Sequence, residues 1–203
     1  MLAQTLNISY CHLIYLFQFF YTLNKGHTMS DFHKQFPNSG VGKQFPAILD
    51  YIGDRPETKS ILDFGCGKGG TADWIESKYP QASVYRYEPG IEQYSSESWK
   101  SRYWDCIYSV DVLEHIEVKD LEGKAGVIAW FNSCIRGTTF HIIDLDPAKK
   151  TLADGRNAHV TLLEPNEWRE LFDSTMCNTR TELHRYPDGR RRLHLWSERS
   201  KKM

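Results

Sequence analysis

The sequence predicts an α/β fold: a doubly wound, mostly parallel sheet with a C-terminal antiparallel hairpin. Three observations predict it. Short β-branched and aromatic runs alternate with stretches of helical apolar spacing, and strands separated by helices pair in parallel. One apolar run, Ser60–Phe64, leads directly into a glycine cluster, Gly65–Gly70, and then into a helical pattern. The last part of the chain carries two alternating runs, 180–186 and 191–197, around Pro187-Asp188-Gly189, a strong hairpin signal.

The elements follow in order. Residues 44–52 set Phe45, Ile48, Leu49 and Ile52 at helical spacing, with Pro46 tolerated in the first turn. Ser60–Phe64 is the first strand, 71–79 a helix stopped by Pro80, and 83–87 a second strand ended by Glu88-Pro89-Gly90. Residues 106–110 form a third strand. Residues 119–131 read as a helix carrying Gly123 and Gly126, and 138–143 as a strand ending at Asp144. Glu164-Pro165-Asn166-Glu167-Trp168 opens another helix, with proline and acids where the helix dipole favours them.

Composition narrows the function classes. The 203 residues are 40% hydrophobic and 25% charged with a net charge of −1, which suits a globular core and excludes a disordered chain or a dedicated nucleic-acid coat. The five cysteines, Cys11, Cys66, Cys106, Cys134 and Cys177, are odd in number and widely spaced. They form no C-x-x-C pair and point to a reducing, cytoplasmic setting. Residues 8–23 are uncharged but shorter than the roughly 20 residues a membrane-spanning helix needs, and no basic residue precedes them as in a signal peptide. Residues 1–28 therefore read as a hydrophobic extension: a non-native leader before Met29, a membrane- or partner-binding segment, or a helix packed on the core. Residues 29–203 read as one domain, in which Phe32, His33 and Lys43 are candidates for a lid.

The glycine turn is the main functional signal. Glycines allow positive φ and close approach of a ligand, and ligands of doubly wound sheets sit at the carboxyl ends of strands near the switch point. Asp63 precedes the turn, and Glu88 ends the next strand, where a carboxylate can accept both hydroxyls of a ribose. Gly65-x-Gly67-x-x-Gly70 with Glu88 eighteen residues on also satisfies a dinucleotide fingerprint. Tight packing alone is a third explanation of the glycines.

Asp63-Phe64-Gly65-Cys66-Gly67-Lys68-Gly69 resembles the D-x-G-x-G-x-G signature of class I S-adenosylmethionine (SAM)-dependent methyltransferases, a Rossmann-like family. Glu88-Pro89 is similar to the family's acid after the second strand. Asp105 to Ile116, which contains Leu113-Glu114-His115, is similar to its fourth strand and "LEH" segment, and the closing hairpin to its antiparallel last strand. The resemblance covers roughly residues 43–197. It implies SAM as cofactor, with Gly65, Cys66, Gly67 and Gly69 against its methionine part, Asp63 orienting its amino group and Glu88 on the ribose. Ser109, Val110 and Asp111 would lie at the methyl-transfer end. Sixteen residues separate Glu88 from Asp105, so the helix or third strand usual there must be shortened or lost. That stretch would normally supply the adenine contact, and Ser95, Ser96 and Glu97 are its candidate replacements.

Asp111-x-x-Glu114-His115 places two carboxylates and an imidazole within one turn, and His159 follows the next strand in a loop. Such a group serves as a general base or as a hard-metal site. Ubiquinone-type and small-RNA 2′-O-methyltransferases resemble it, with E-x-x-E-H and a later histidine. Here the first acid is one methylene shorter. The catalytic candidates are His115, His159 and Glu114, with a divalent metal as a secondary possibility and a helix start with a buried histidine as the plain alternative.

Asp144 and Asp146 are candidates for the substrate mouth and Arg156 for an anionic substrate. Arg190, Arg191 and Arg192, within a C-terminal stretch of eight basic and three acidic residues, are candidates for a nucleic-acid contact, with a solvated edge strand guarded by charge as the commoner explanation. The expected function is methyl transfer from SAM to an oxygen or nitrogen of an unidentified substrate, a small molecule ahead of a nucleic acid. The alternatives are an NAD(P)-dependent oxidoreductase and a catalytically silent partner-binding module.

Overall fold

A computed structural model describes residues 46–187 and 189–200. The expectations for residues 1–28, for Phe32, His33 and Lys43, and for the start of the first helix at residue 44 lie outside the described residues.

The chain forms α1 (Pro46–Gly53), β1 (Ser60–Phe64), α2 (Gly70–Lys78), β2 (Ser83–Tyr87), β3 (Trp104–Val110), α3 (Val118–Leu121), α4 (Val127–Cys134), β4 (Ile135–Asp144), α5 (Pro165–Asp173), β5 (Cys177–Arg185) and β6 (Arg191–Glu198). They build a six-stranded sheet in the order β2-β1-β3-β4-β6-β5. The first four strands are parallel and β6 joins β4 antiparallel. The β5–β6 hairpin closes the sheet, as the alternating runs predict.

Alternation along each strand makes two cores. Ile61, Cys106, Tyr108, Phe140 and Ile142 face α1 and α2, where Ile48, Ile52, Ala72 and Ile75 meet them. Leu62, Ile107, Ile143, Leu193 and Leu195 face the other side with Phe131 of α4 and Trp168 and Phe172 of α5. Helices on both faces make the sheet doubly wound. Its order reverses between β1 and β3, so the carboxyl ends of these strands flank the switch point.

The usual third strand is gone. Two 3-10 turns, Glu92–Tyr94 and Glu97–Ser101, replace it and leave β2 at the edge. This edge is closed by side chains. Val84 N–H donates to Glu76 of α2, and Arg86 donates to the Val84 carbonyl.

Two expectations are corrected. The helix expected over 119–131 is two helices, because Gly123 takes φ +77° and the chain folds back at Gly126, where a Cβ would lie 2.2 Å from the Glu122 carbonyl oxygen. The strand expected from 138 begins at Ile135. Gly137 sits within it because a Cβ there would lie 2.2 Å from the Asp105 carbonyl oxygen of the neighbouring strand.

Candidate active site at the switch point

Three glycines of the turn, Gly65, Gly67 and Gly69, adopt positive φ, which L side chains rarely take. The N–H groups of Gly65 and Cys66 both donate to the Tyr87 carbonyl, which ties the turn to the end of β2. A Cβ on Gly65 would meet both γ-methyls of Val112 at 2.5 Å, so the turn and the segment after β3 pack backbone to side chain. The Cys66 side chain is buried, and burial pushes its thiol well above the ordinary range.

Glu88 is 1% exposed and turns toward the glycines. Its carboxylate accepts from Gly67 N–H at 3.3 Å and from Gly90 N–H at 3.1 Å. A carboxylate oxygen can accept more than one hydrogen bond. Asp63 is buried at the end of β1, and its Oδ2 has no hydrogen-bond partner. Burial pushes its carboxyl up to about 7, partly offset by the Tyr108 hydroxyl on the paired position of β3 and by Arg86. An orphaned buried acceptor beside a positive-φ cradle fits the ammonium of an amino-acid cofactor. Glu88 fits a diol beside it.

Not every predicted residue joins this cleft. Ser109 is fully buried in the sheet, and its hydroxyl pairs with His141 Nδ1 at 2.8 Å, so only its backbone is available at the transfer end. Ser95 and Ser96 are absorbed in local turns: the Ser95 hydroxyl donates to the Glu92 carbonyl, and Ser96 caps the next turn through Ser98 N–H. Glu97 pairs with Lys100 at 2.7 Å.

The acid and histidine cluster does assemble. The chain leaves β3 through Asp111, in left-handed conformation at φ +52°, and enters a 3-10 turn, Leu113–His115. Glu114 is fully buried. Its Oε1 accepts from Asp144 N–H at 3.2 Å, and Oε2 has no partner. Burial, with Asp111 and Asp144 nearby, raises its carboxyl well above the usual range. His115 Nδ1 donates to the Ala158 carbonyl at 2.7 Å, and His159 Nδ1 to the Asp146 carbonyl at 2.6 Å. The two rings lie edge to face with centroids 4.8 Å apart. Burial and the neighbouring His159 lower His115 to about 4, so it is neutral at pH 7. Ligand atoms of Glu114, His115 and His159 lie within 4.8 Å of one another.

The candidate arginines are held by acids of the same chain. Arg192, from β6, pairs with Asp111 at 3.3 Å and stacks over the Tyr186 ring. Arg190 pairs with Asp144, and Arg191 with Asp146 and Glu164. Arg156 pairs with Glu117 and Asp154. The sequence reading missed Tyr108 and His141 in the sheet and Asn157 in the loop. Only the register of β3 against β1 and β4 brings Tyr108 to Asp63 and Ser109 to His141.

A family model described as a methyltransferase domain matches residues 38–199. No curated protein matches the chain by sequence. Among solved structures, a mitomycin 7-O-methyltransferase is 11% identical with a TM-score of 0.53, over 70% of this chain and 50% of its own. A coclaurine N-methyltransferase bound to N-methylheliamine and SAH is 14% identical with a TM-score of 0.52, over 75% of this chain and 70% of that one. A 16S rRNA (adenine(1408)-N(1))-methyltransferase from Catenulisporales acidiphilia is 11% identical with a TM-score of 0.51, over 80% and 95%. The chain thus spans about half the length of the mitomycin enzyme. Among the described residues no helix is long and apolar enough to cross a membrane.

Proposed function

The chain belongs to the methyltransferase-domain family, and from that premise we propose that it transfers the methyl group of SAM to an oxygen or nitrogen acceptor seated beside His115 and His159. The observation that carries this reading is the cradle at the switch point: the orphaned Asp63 Oδ2, the positive-φ glycines and the Glu88 carboxylate lie around one turn. When bound, the cofactor supplies an electrophilic methyl carbon on its sulfonium. Asp63 holds the amino-acid end of the cofactor, the backbone of Gly65, Cys66, Gly67 and Gly69 packs along it, and Glu88 accepts from the ribose hydroxyls. The Ser109 backbone and Asp111 border the transfer end. Holding acceptor, methyl and sulfur in line can supply about 7–11 kcal/mol at best of the barrier reduction. The acceptor's proton passes to Nε2 of His115 or His159, the basic nitrogen of a ring whose Nδ1–H is already given to a carbonyl. Glu114, held by Asp144 N–H, sits beside them as the acid of the group.

The family match favours methyl over hydride transfer, so the oxidoreductase alternative gives way. Small molecules and an RNA are the named substrates of the similar structures, and both acceptor kinds stay within the proposal. The pairing of Arg190, Arg191 and Arg192 with acids of this chain favours the small molecule.

A second reading, a divalent cation on Glu114, His115 and His159, rests on their clustering within 4.8 Å. An octahedral Mg²⁺ or Mn²⁺ at about 2.1 Å from each ligand needs adjacent ligand atoms about 3.0 Å apart, so these side chains would have to close inward.

Calorimetric titration with SAM tests the cradle. Glu88→Ala and Gly67→Val are each expected to weaken binding at least 100-fold, and unchanged affinity in both would refute the site. Thermal shifts with Mn²⁺ and Mg²⁺ test the cation. A rise that Glu114→Gln abolishes supports it, and no rise removes it.

A further inference from the structure

The loop between β4 and α5 is long, yet its hydrogen bonds are highly organised. The Asn157 side chain is its knot. Oδ1 accepts from Ala148 N–H and from His159 N–H, each at 2.9 Å, and Nδ2 donates to the Ala148 carbonyl at 2.9 Å. One amide thus joins the start of the loop to the residue that carries the imidazole. The loop then supplies both carbonyls that fix the imidazoles: Asp146 for His159 and Ala158 for His115. Around the knot, Thr151 bridges to Asn157, Ala158 N–H donates to the Lys150 carbonyl, and Leu152 N–H to the Arg156 carbonyl. The far end is stapled to the turn that bears Glu114 and His115. Thr161 N–H donates to the Glu114 carbonyl at 3.0 Å, and its hydroxyl to the Ile116 carbonyl at 2.7 Å.

A carbonyl oxygen only accepts, so each imidazole must present Nδ1–H to it. In water a neutral histidine is free to carry its proton on either nitrogen. The loop removes that choice for both rings at once, and the two imidazoles lie edge to face with centroids 4.8 Å apart. Second-sphere partners of this kind set ring orientation and basicity at functional histidines.

We propose that Asn157 is a positioning residue, whose side-chain amide holds the 146–159 loop so that His115 and His159 are both locked as Nδ1–H tautomers with Nε2 as the reacting nitrogen. This rests on the proposed role of the two histidines in proton transfer. Asn157 acts through Ala148 and His159, the partners of its side-chain amide.

The test is imidazole ¹⁵N NMR on the full chain with S-adenosylhomocysteine present, assigned with His115→Gln and His159→Gln. The wild type is expected to show both rings as Nδ1–H tautomers at pH 7.5. Asn157→Ala is expected to move His159, and with it His115, toward the Nε2–H form while SAM affinity stays within twofold. Asn157→Asp, which keeps the two acceptor contacts but sets a carboxylate oxygen against the Ala148 carbonyl in place of the Nδ2 donor, is expected to shift the rings in the same direction as Asn157→Ala. Nε2–H tautomers in the wild type would overturn the proposal without any variant, and so would unchanged tautomers in a folded Asn157→Ala. The distinction from the functional reading is direct: loss of the SAM site leaves this spectroscopic result standing, and an intact SAM site does not rescue it.

Discussion

Asp63 gives the site a built-in pH dependence. Its carboxyl, pushed up to about 7 by burial, holds a proton below that pH and then offers no charge to an ammonium. SAM affinity is therefore expected to fall as pH drops through 7, by roughly 20-fold between pH 7.5 and 5.5, from the ionised fraction alone. Asn at position 63 is expected to bind SAM weakly and to flatten this profile, as read by calorimetry at several pH values. Residue types at this scale were legible in the sequence: Asp63, Glu88 and the glycines announced themselves by spacing. Ser109 did not, because its partner His141 lies 32 residues away on the next strand, and only pairing reveals that the hydroxyl faces the core.

At the scale of elements, the turn after β1 carries two separate steric demands on Gly65. Its φ is +78°, and its missing Cβ makes room for Val112. Gly65→Ala is expected to cost about 2–4 kcal/mol, the sum of strain in the left-handed region and overpacking. Adding Val112→Ala is expected to recover only the overpacking share, which a double-mutant cycle by urea denaturation would measure. The strands β1 and β2 were readable to the residue, since alternation and flanking breakers agree there. The 119–131 region was not readable, because its apolar residues keep helical spacing across a break that glycine conformation alone creates. The strand read from 138 left out Gly137, which lies inside β4 because β3 approaches too closely for a Cβ there. The acid and histidine cluster was visible as a motif. Its geometry was not, because the loop that orients it is held by Asn157 and by carbonyls that leave no mark in side-chain pattern.

For the whole molecule, buried titratable groups oppose one another. His115, His141 and His194 are lowered by burial to about 4, 3 and 4, so unfolding takes up protons at them as pH falls below 6.5. Their stabilisation is present above pH 6.5 and is lost as pH falls toward those values. Asp63 and Glu114 are raised by burial, so their stabilisation is present below about pH 4 and is lost as pH rises through their folded values. Between pH 4.5 and 6.5 the histidines outnumber the acids by one, which tilts stability gently upward. Above 6.5 only the acids remain, and stability declines. Thermal denaturation from pH 4.5 to 8.5 is expected to show a shallow maximum near pH 6.5, and His141→Phe is expected to level the acid side. The sequence conveyed the fold class through its alternation of periods, yet the missing third strand was visible only as a short interval.

That omission has a consequence at the border of the sheet. An outermost strand with unsatisfied peptide groups is a template onto which another polypeptide can zip. With Glu76 and Arg86 occupying the peptide group of Val84, a visiting strand would have to evict an ion-paired arginine and a helix carboxylate before making its first rung. At Val84 two side chains thus stand guard against templated aggregation in place of another ribbon of backbone.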